Sequence, residues 1–170
     1  MFFNENNIEV IKRNIKDLDG QHCYCITTNG SIKKVKNYNE LVMGRGIALA
    51  AKQLHPELPK LLASYVSQIG NHVYYISELN LFSFPVKHHW SEKADIELIK
   101  RSCIELLWYI KFGLSNQLIT MFSEKQIIIT EENPVYLPKP GCNNGQLKWE
   151  DVEREIEPII KDYPIKIFEL

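Results

Sequence analysis

No stretch of this sequence is long, uninterrupted and apolar. The most hydrophobic run, CIELLWYIKFGL, is broken by Glu105 and Lys111 and cannot span a bilayer. The opening MFFNENN is too short and too polar for a signal peptide. A cytoplasmic protein with no membrane partner is expected. Charge of one sign is also lacking. Twenty Lys and Arg face 21 Asp and Glu, and a net charge of −1 does not mark a general nucleic-acid binder. Cysteine is scarce. Cys23, Cys25, Cys103 and Cys142 show no zinc-ligand spacing, and Cys23 and Cys25 alternate so as to face one side of a strand. Free thiols in a reducing compartment are expected. His22, His55, His72, His88 and His89 are scattered, and no group of acidic or His residues suits a metal. Neither metal nor cofactor is expected. The P-loop pattern GxxxxGK[ST] is missing, and no GxGxxG follows the first strand, which disfavours a Rossmann cofactor.

What is present suits one domain over residues 1–170. Apolar residues make up 45% and charged residues 24%, as in ordinary globular chains large enough to need no staples. IEVIKR reads as a first strand and HCYCITT as a buried one. NGSIKKVKNYNE reads as a polar, basic loop. From Gly46, IALAAKQL is helical until Pro56 stops it. ELPKLLASYVSQIG is a second helix, with Leu58, Leu61, Leu62, Tyr65 and Ile69 on one side and Gly70 as C-cap. HVYYISEL and LFSFP read as strands. SEKADIELIKRSCIELLWYIKFG is a long helix with Ser91 as N-cap and Ile96, Ile99, Cys103, Leu107 and Ile110 inward. QIIIT and VYLPKPGC read as strand-like. WEDVEREI is a last helix, with Trp149, Val152 and Ile156 inward and Pro158 interrupting it, and IKIFEL closes as a strand. Alternating strands and helices, with several continuously apolar strands, predict an α/β fold with a largely parallel sheet covered on both faces.

In such sheets ligands sit beyond the carboxyl ends of strands. Three loops follow strand candidates there. Gly44-Arg45-Gly46 precedes a helix, whose first N–H groups are unpaired and carry partial positive charge. Glycines let that backbone approach a phosphate; taken alone, the segment is equally a turn needing positive φ. PGCNNGQLKW leaves a strand and enters a helix through residues that tolerate left-handed backbone. It too reads alternatively as an ordinary turn, with Trp149 fastening the helix to the core. In FPVKHHW, Lys87 stands where a strand should end, among His and aromatic residues. It is either a solvated surface charge or a partly desolvated, reactive amine.

Taken in order, TTNG, VMGRGIAL, FPVKHHW and LPKPGCNNGQLKW resemble the macrodomains, the ADP-ribose-binding family. The branch most similar includes bacterial antitoxins that remove ADP-ribose from DNA, and related phage-type proteins. The resemblance covers about Ile8 to Pro158. It implies a three-layer α/β/α macrodomain-like fold with a mixed, largely parallel sheet. It also implies a cleft for ADP-ribose or an ADP-ribosylated substrate, nucleic acid included. Ligand contacts implied by the matching positions are Asn14 and Ile15 for adenine, Thr28, the Gly44, Arg45, Gly46 and Ile47 loop, and Gly141, Cys142, Asn143, Asn144 and Gly145. Lys87 and Asn29 are the implied catalytic residues.

The activity so implied is hydrolysis of an ADP-ribosyl derivative at C1″, from a macromolecule or from ADP-ribose-1″-phosphate. Lys87 would act either as an uncharged nucleophile or as a charged stabiliser of the leaving group. The alternative is a binding module for ADP-ribose or a signal nucleotide, without turnover. The sequence departs from the family at Asn143, which replaces a usual Gly, and at Lys148, which replaces a usual Asp. Gly145 stands where some relatives place an aspartate partner for the lysine, and the loop carrying Lys33, Lys34 and Lys36 is longer and more basic.

Overall fold

A computed structural model describes residues 8–14, 16, 18, 20–112 and 129–170. Six strands form one sheet: β1 (Val10–Lys12), β2 (Cys23–Asn29), β5 (Tyr74–Ile76), β6 (Leu81–Lys87), β7 (Val135–Pro138) and β8 (Ile165–Glu169). Their order is β1-β8-β7-β2-β6-β5. Every neighbouring pair is parallel except β5 with β6. The sheet is therefore mixed and largely parallel, as the alternation of elements predicts.

Helices cover both faces. Period-2 alternation in β2 sends Cys23 and Cys25 to one side and Tyr24 and Ile26 to the other, and all four are buried. The cysteine side packs against α3 (Ile96–Phe112) and α4 (Trp149–Ile160), through Ile99, Cys103, Leu106, Val152 and Ile156. The tyrosine side packs against α1 (Gly46–Leu54) and α2 (Leu58–Ile69), through Ile47, Ala51, Leu58 and Leu62. Each fully buried Leu or Ile contributes roughly 1.5–3 kcal/mol. Cys23, Cys25 and Cys103 are buried free thiols, and burial pushes Cys23 and Cys103 up to about 12.

Several boundaries differ from the sequence reading. The supposed basic loop is an antiparallel hairpin, β3 (Ile32–Val35) with β4 (Tyr38–Leu41), turning through Lys36 at φ 54°. Its alternation is hidden because Lys33 and Lys34 are exposed on β3, while Leu41 carries the burial on β4. The long helix starts at Ile96, and its cap is Asp95, not Ser91. Asp95 Oδ1 accepts from Glu97 N at 2.9 Å, and its carbonyl accepts the first helical bond, from Ile99 N. Ile69 is 45% exposed, beyond Val66, the last α2 residue packed against that core. Pro158 lies inside α4, within three residues of its end, so few helical bonds are lost. VYLPKPGC is extended only over Val135–Pro138. Most of QIIIT lies outside the described residues, and Ile129 and Thr130 are not strand.

No described helix is long and apolar enough to cross a membrane.

Candidate functional site

The parallel strands β2, β6, β7 and β8 all deliver their carboxyl ends to one edge of the sheet. A cleft of about 610 Å³ opens there, a size suited to a small-molecule ligand. Its lining includes Thr28, Asn29, Arg45, Gly46, Ile47, Lys87, and Gly141 to Gly145. Three loops far apart in sequence thus meet because their strands are neighbours.

The first wall is the N-terminus of α1. Arg45 is the N-cap in extended backbone, with no side-chain cap, and the first turn holds no acidic residue. Gly44, Arg45 and Gly46 are exposed. The leading N–H groups of α1 therefore lack a capping side chain and face the cleft with the positive end of the helix dipole. Gly46 needs its glycine: its φ is 58°, and a Cβ there would lie 3.1 Å from Asn144 Nδ2.

The second wall is the loop entering α4. Leu147 N donates to Gly141 O at 2.9 Å, Gln146 N to Asn143 O at 3.1 Å, and Ala94 N to Gly145 O at 2.9 Å. Gly145 sits under this knot. A Cβ there would overlap the Gly141 carbonyl and approach Ala94 Cβ to 2.7 Å. Side chains of Asn143 and Asn144 remain outside, exposed at the cleft.

Lys87 closes the gap between the walls. Pro85 precedes it, which a central strand would normally exclude because proline lacks an N–H. Here β5 pairs only with Leu81–Ser83, so at Pro85 strand β6 has β2 alone as neighbour. Beyond Pro85 the ladder skips Val86: Thr28 pairs with Pro85 and Asn29 with Lys87. This bulge lets the Val86 side chain stay buried while its carbonyl accepts from Asp95 N at 2.9 Å. It also sets Asn29 and Lys87 side by side. Lys87 Nζ donates to Asn144 O at 2.9 Å and lies 3.5 Å from Trp90 O. Partial desolvation, and next the nearby Arg45 guanidinium, hold its amine below the ordinary lysine value.

Asn29 is fastened at both ends of its amide. Nδ2 donates to Val42 O at 2.9 Å and Oδ1 accepts from Ser31 N at 2.9 Å. It pins the hairpin's two ends to the end of β2. Gly44 is outside the cleft lining, and nothing lies within 4 Å of a Cβ built on it. Asn14 is also outside the lining; it is exposed, and its Oδ1 accepts from Lys16 N at 3.0 Å. Ile15 lies outside the described residues.

Sequence reasoning missed the far end of the cleft, where Pro138, Lys139, Trp149, Phe168, Glu169 and Leu170 line it. Lys139 Nζ is 2.9 Å from Glu169 Oε2 and 5.7 Å from the Trp149 ring centre. Its bond to Lys139 holds the Glu169 carboxyl below the usual range. A signal existed, since both β7 and β8 end at this edge. No group of three or more His, Cys, Asp or Glu able to hold a metal occurs among the described residues.

No protein-family model matches the chain. It is 25% identical over 135 residues to the DNA ADP-ribosyl glycohydrolases of Mycobacterium tuberculosis and Mycobacterium bovis. That match covers 72% of this chain and 33% of each relative, so the chain spans about a third of the length of these curated relatives. Among solved structures, it is similar to the macrodomain of Mycobacterium tuberculosis DarG, with TM-score 0.63 and 22% identity over 96% of this chain and 99% of that one. The macrodomain of Thermus aquaticus DarG gives 0.62 and 21%, over 95% and 96%. Thermosipho africanus DarTG in complex with ADP-ribose gives 0.58 and 18%, over 88% of this chain and 38% of that one. The chain has the macrodomain fold and is similar to the DarG macrodomains.

Proposed function

We propose that this macrodomain-fold chain binds ADP-ribose in the cleft and hydrolyses an ADP-ribosyl derivative at C1″. The observation that carries the reading is the bridge from Lys87 Nζ to Asn144 O. It sets one amine between two glycine-shaped loops whose main chain suits a diphosphate. Support comes from the names of the similar proteins, one a DNA ADP-ribosyl glycohydrolase and one solved with ADP-ribose. An ADP-ribosylated nucleic acid is accordingly the favoured substrate, with an ADP-ribosylated protein or ADP-ribose-1″-phosphate as the other candidates. The protein works in the cytoplasm in this reading.

In the proposed mechanism the α1 N-terminus and the Gly141–Gly145 loop hold the diphosphate, while Asn29 and Thr28 position the distal ribose. Binding energy spent on the diphosphate fixes the scissile bond beside Lys87, an orientation effect worth up to about 7–11 kcal/mol in favourable systems. Lys87 acts as its ammonium. Two carbonyl oxygens accept its N–H groups, and a third N–H remains for the departing atom on C1″. As the bond from C1″ to that atom breaks, the ammonium stabilises the negative charge gathering there. Water supplies the new C1″ hydroxyl, and its proton ends on the leaving group.

One observation favours the alternative, a binding module without turnover. The partners of Lys87 are carbonyls, and among the described residues no carboxylate is paired with the lysine to activate water.

Calorimetry with ADP-ribose tests the shared part of both readings. Incubation with ADP-ribose-1″-phosphate, and with oligonucleotides ADP-ribosylated on thymine or guanine, tests turnover. Release of ADP-ribose establishes hydrolysis; tight binding without release establishes the module.

A further inference from the structure

Three tryptophans occur in the chain, and they differ in what covers them. Trp149 is partly buried against the core, with Lys139 over its ring. Trp108 is exposed on α3, edge-on to Phe112 and away from the cleft. Trp90 alone is both a lining residue of the cleft and exposed, at 52%. Leaving an indole half in water forgoes part of the roughly 1.5–3 kcal/mol that burying a large apolar side chain provides.

Its position is nevertheless fixed. Trp90 N donates to Ser31 Oγ at 2.9 Å, its carbonyl is 3.5 Å from Lys87 Nζ, and its ring leans on His89 at 5.7 Å and 37°. The backbone that carries the indole is thus tied both to the amine and to the hairpin.

We infer that Trp90 is the residue that selects the group released from C1″, by stacking on a nucleobase there. The inference rests on the ADP-ribose reading of the cleft and deepens it. A phosphate leaving group would gain little from an indole, whereas a base offers an aromatic face of matching size. The residue tied to Trp90, Ser31, leads directly into β3, where Lys33 and Lys34 are exposed. Exposed lysines on the strand that Ser31 enters supply positive charge of the kind that single-strand binding uses together with an aromatic platform.

The test compares two affinities in a Lys87→Ala background, which keeps the probe intact. One is for ADP-ribose. The other is for a short oligodeoxynucleotide carrying ADP-ribose on a thymine or guanine base. Adding Trp90→Ala should weaken the oligonucleotide by roughly 5- to 150-fold, the range for loss of one stacked base. It should leave ADP-ribose within about twofold, and Trp90→Phe should recover most of the oligonucleotide affinity. Equal weakening of both ligands, or of neither, overturns the assignment. A parent chain that takes no ADP-ribose overturns the cleft reading itself, a result visible without any Trp90 variant.

Discussion

The side-chain nitrogen of Lys87 lies 2.9 Å from the main-chain oxygen of Asn144, 57 residues further along the chain. That contact ties the end of β6 to the loop before α4. A Cβ built on Gly46, at the start of α1, would lie 3.1 Å from Nδ2 of that same Asn144. Asn144 therefore bonds the amine and stands close to the start of α1.

Lys87→Ala should lower turnover by about 10²- to 10⁴-fold, the usual contribution of a positioned proton-transferring or charged group. ADP-ribose affinity should change far less. Because desolvation and Arg45 lower the Lys87 pKa of the free protein from 10.5, an ammonium mechanism predicts that kcat/KM falls on the alkaline side, with a midpoint below 10.5. A rate that instead rises through that region would identify the neutral amine as the reactive form.

Gly145→Ala and Gly44→Ala should behave oppositely. The first forces a Cβ against the Gly141 carbonyl and Ala94. Overpacking of this kind costs about 1–3 kcal/mol and should also unseat the loop, so both Tm and ligand affinity fall. The second adds a Cβ to open space and should leave both nearly unchanged. Thermal unfolding followed by calorimetry reads the pair.

Asp95→Ala removes the cap of α3 and should cost about 1 kcal/mol, a Tm drop of about 2–4 °C for a domain of this size. Ser91→Ala, at the position the sequence suggests, gives up only an exposed bond to His89 Nδ1 and should cost less by the same scan. The bond to His88, with the Glu97 and Leu98 amides adding to it, holds the Asp95 carboxyl below 3.8. A carboxylate lowered in the fold stabilises above its unfolded pKa and loses that contribution as pH falls through the folded value. The gap between parent and Asp95→Ala should therefore persist at neutral pH and close below about pH 4.

Asn29→Ala should affect folding as well as binding. It frees the Val42 carbonyl and the Ser31 amide together. Each lost hydrogen bond is worth about 0.5–1.5 kcal/mol. Asn29→Asp keeps the acceptor for Ser31 N but turns a carboxylate oxygen, which cannot donate, towards Val42 O, so its Tm should also fall below the parent's.

Local pattern carried most of the architecture. The two-residue alternation of Cys23 to Ile26 and the three- and four-residue steps of Ile96, Ile99, Cys103 and Leu107 are properties of backbone geometry. They announce buried strands and one-sided helices wherever the chain goes. Gly46 and the glycines in PGCNNG likewise mark places where side chains are unwelcome. The hairpin is not legible in the sequence because exposed lysines mask its alternation. Ser91 and Asp95 are both residue types that cap helices, and only the first hydrogen bond of the helix separates them.

The sequence by itself thus determined the layers, the phosphate-loop candidates and Lys87 as the residue to watch. Only the tertiary structure decided that Lys87 meets Asn144, that a skipped Val86 sets it beside Asn29, and that Lys139, Trp149 and Glu169 complete the cleft. The physical reason is that strand order and register join residues by space. The parallel ladder brings the ends of β2, β6, β7 and β8 to one edge, and no local periodicity encodes which ends will be neighbours.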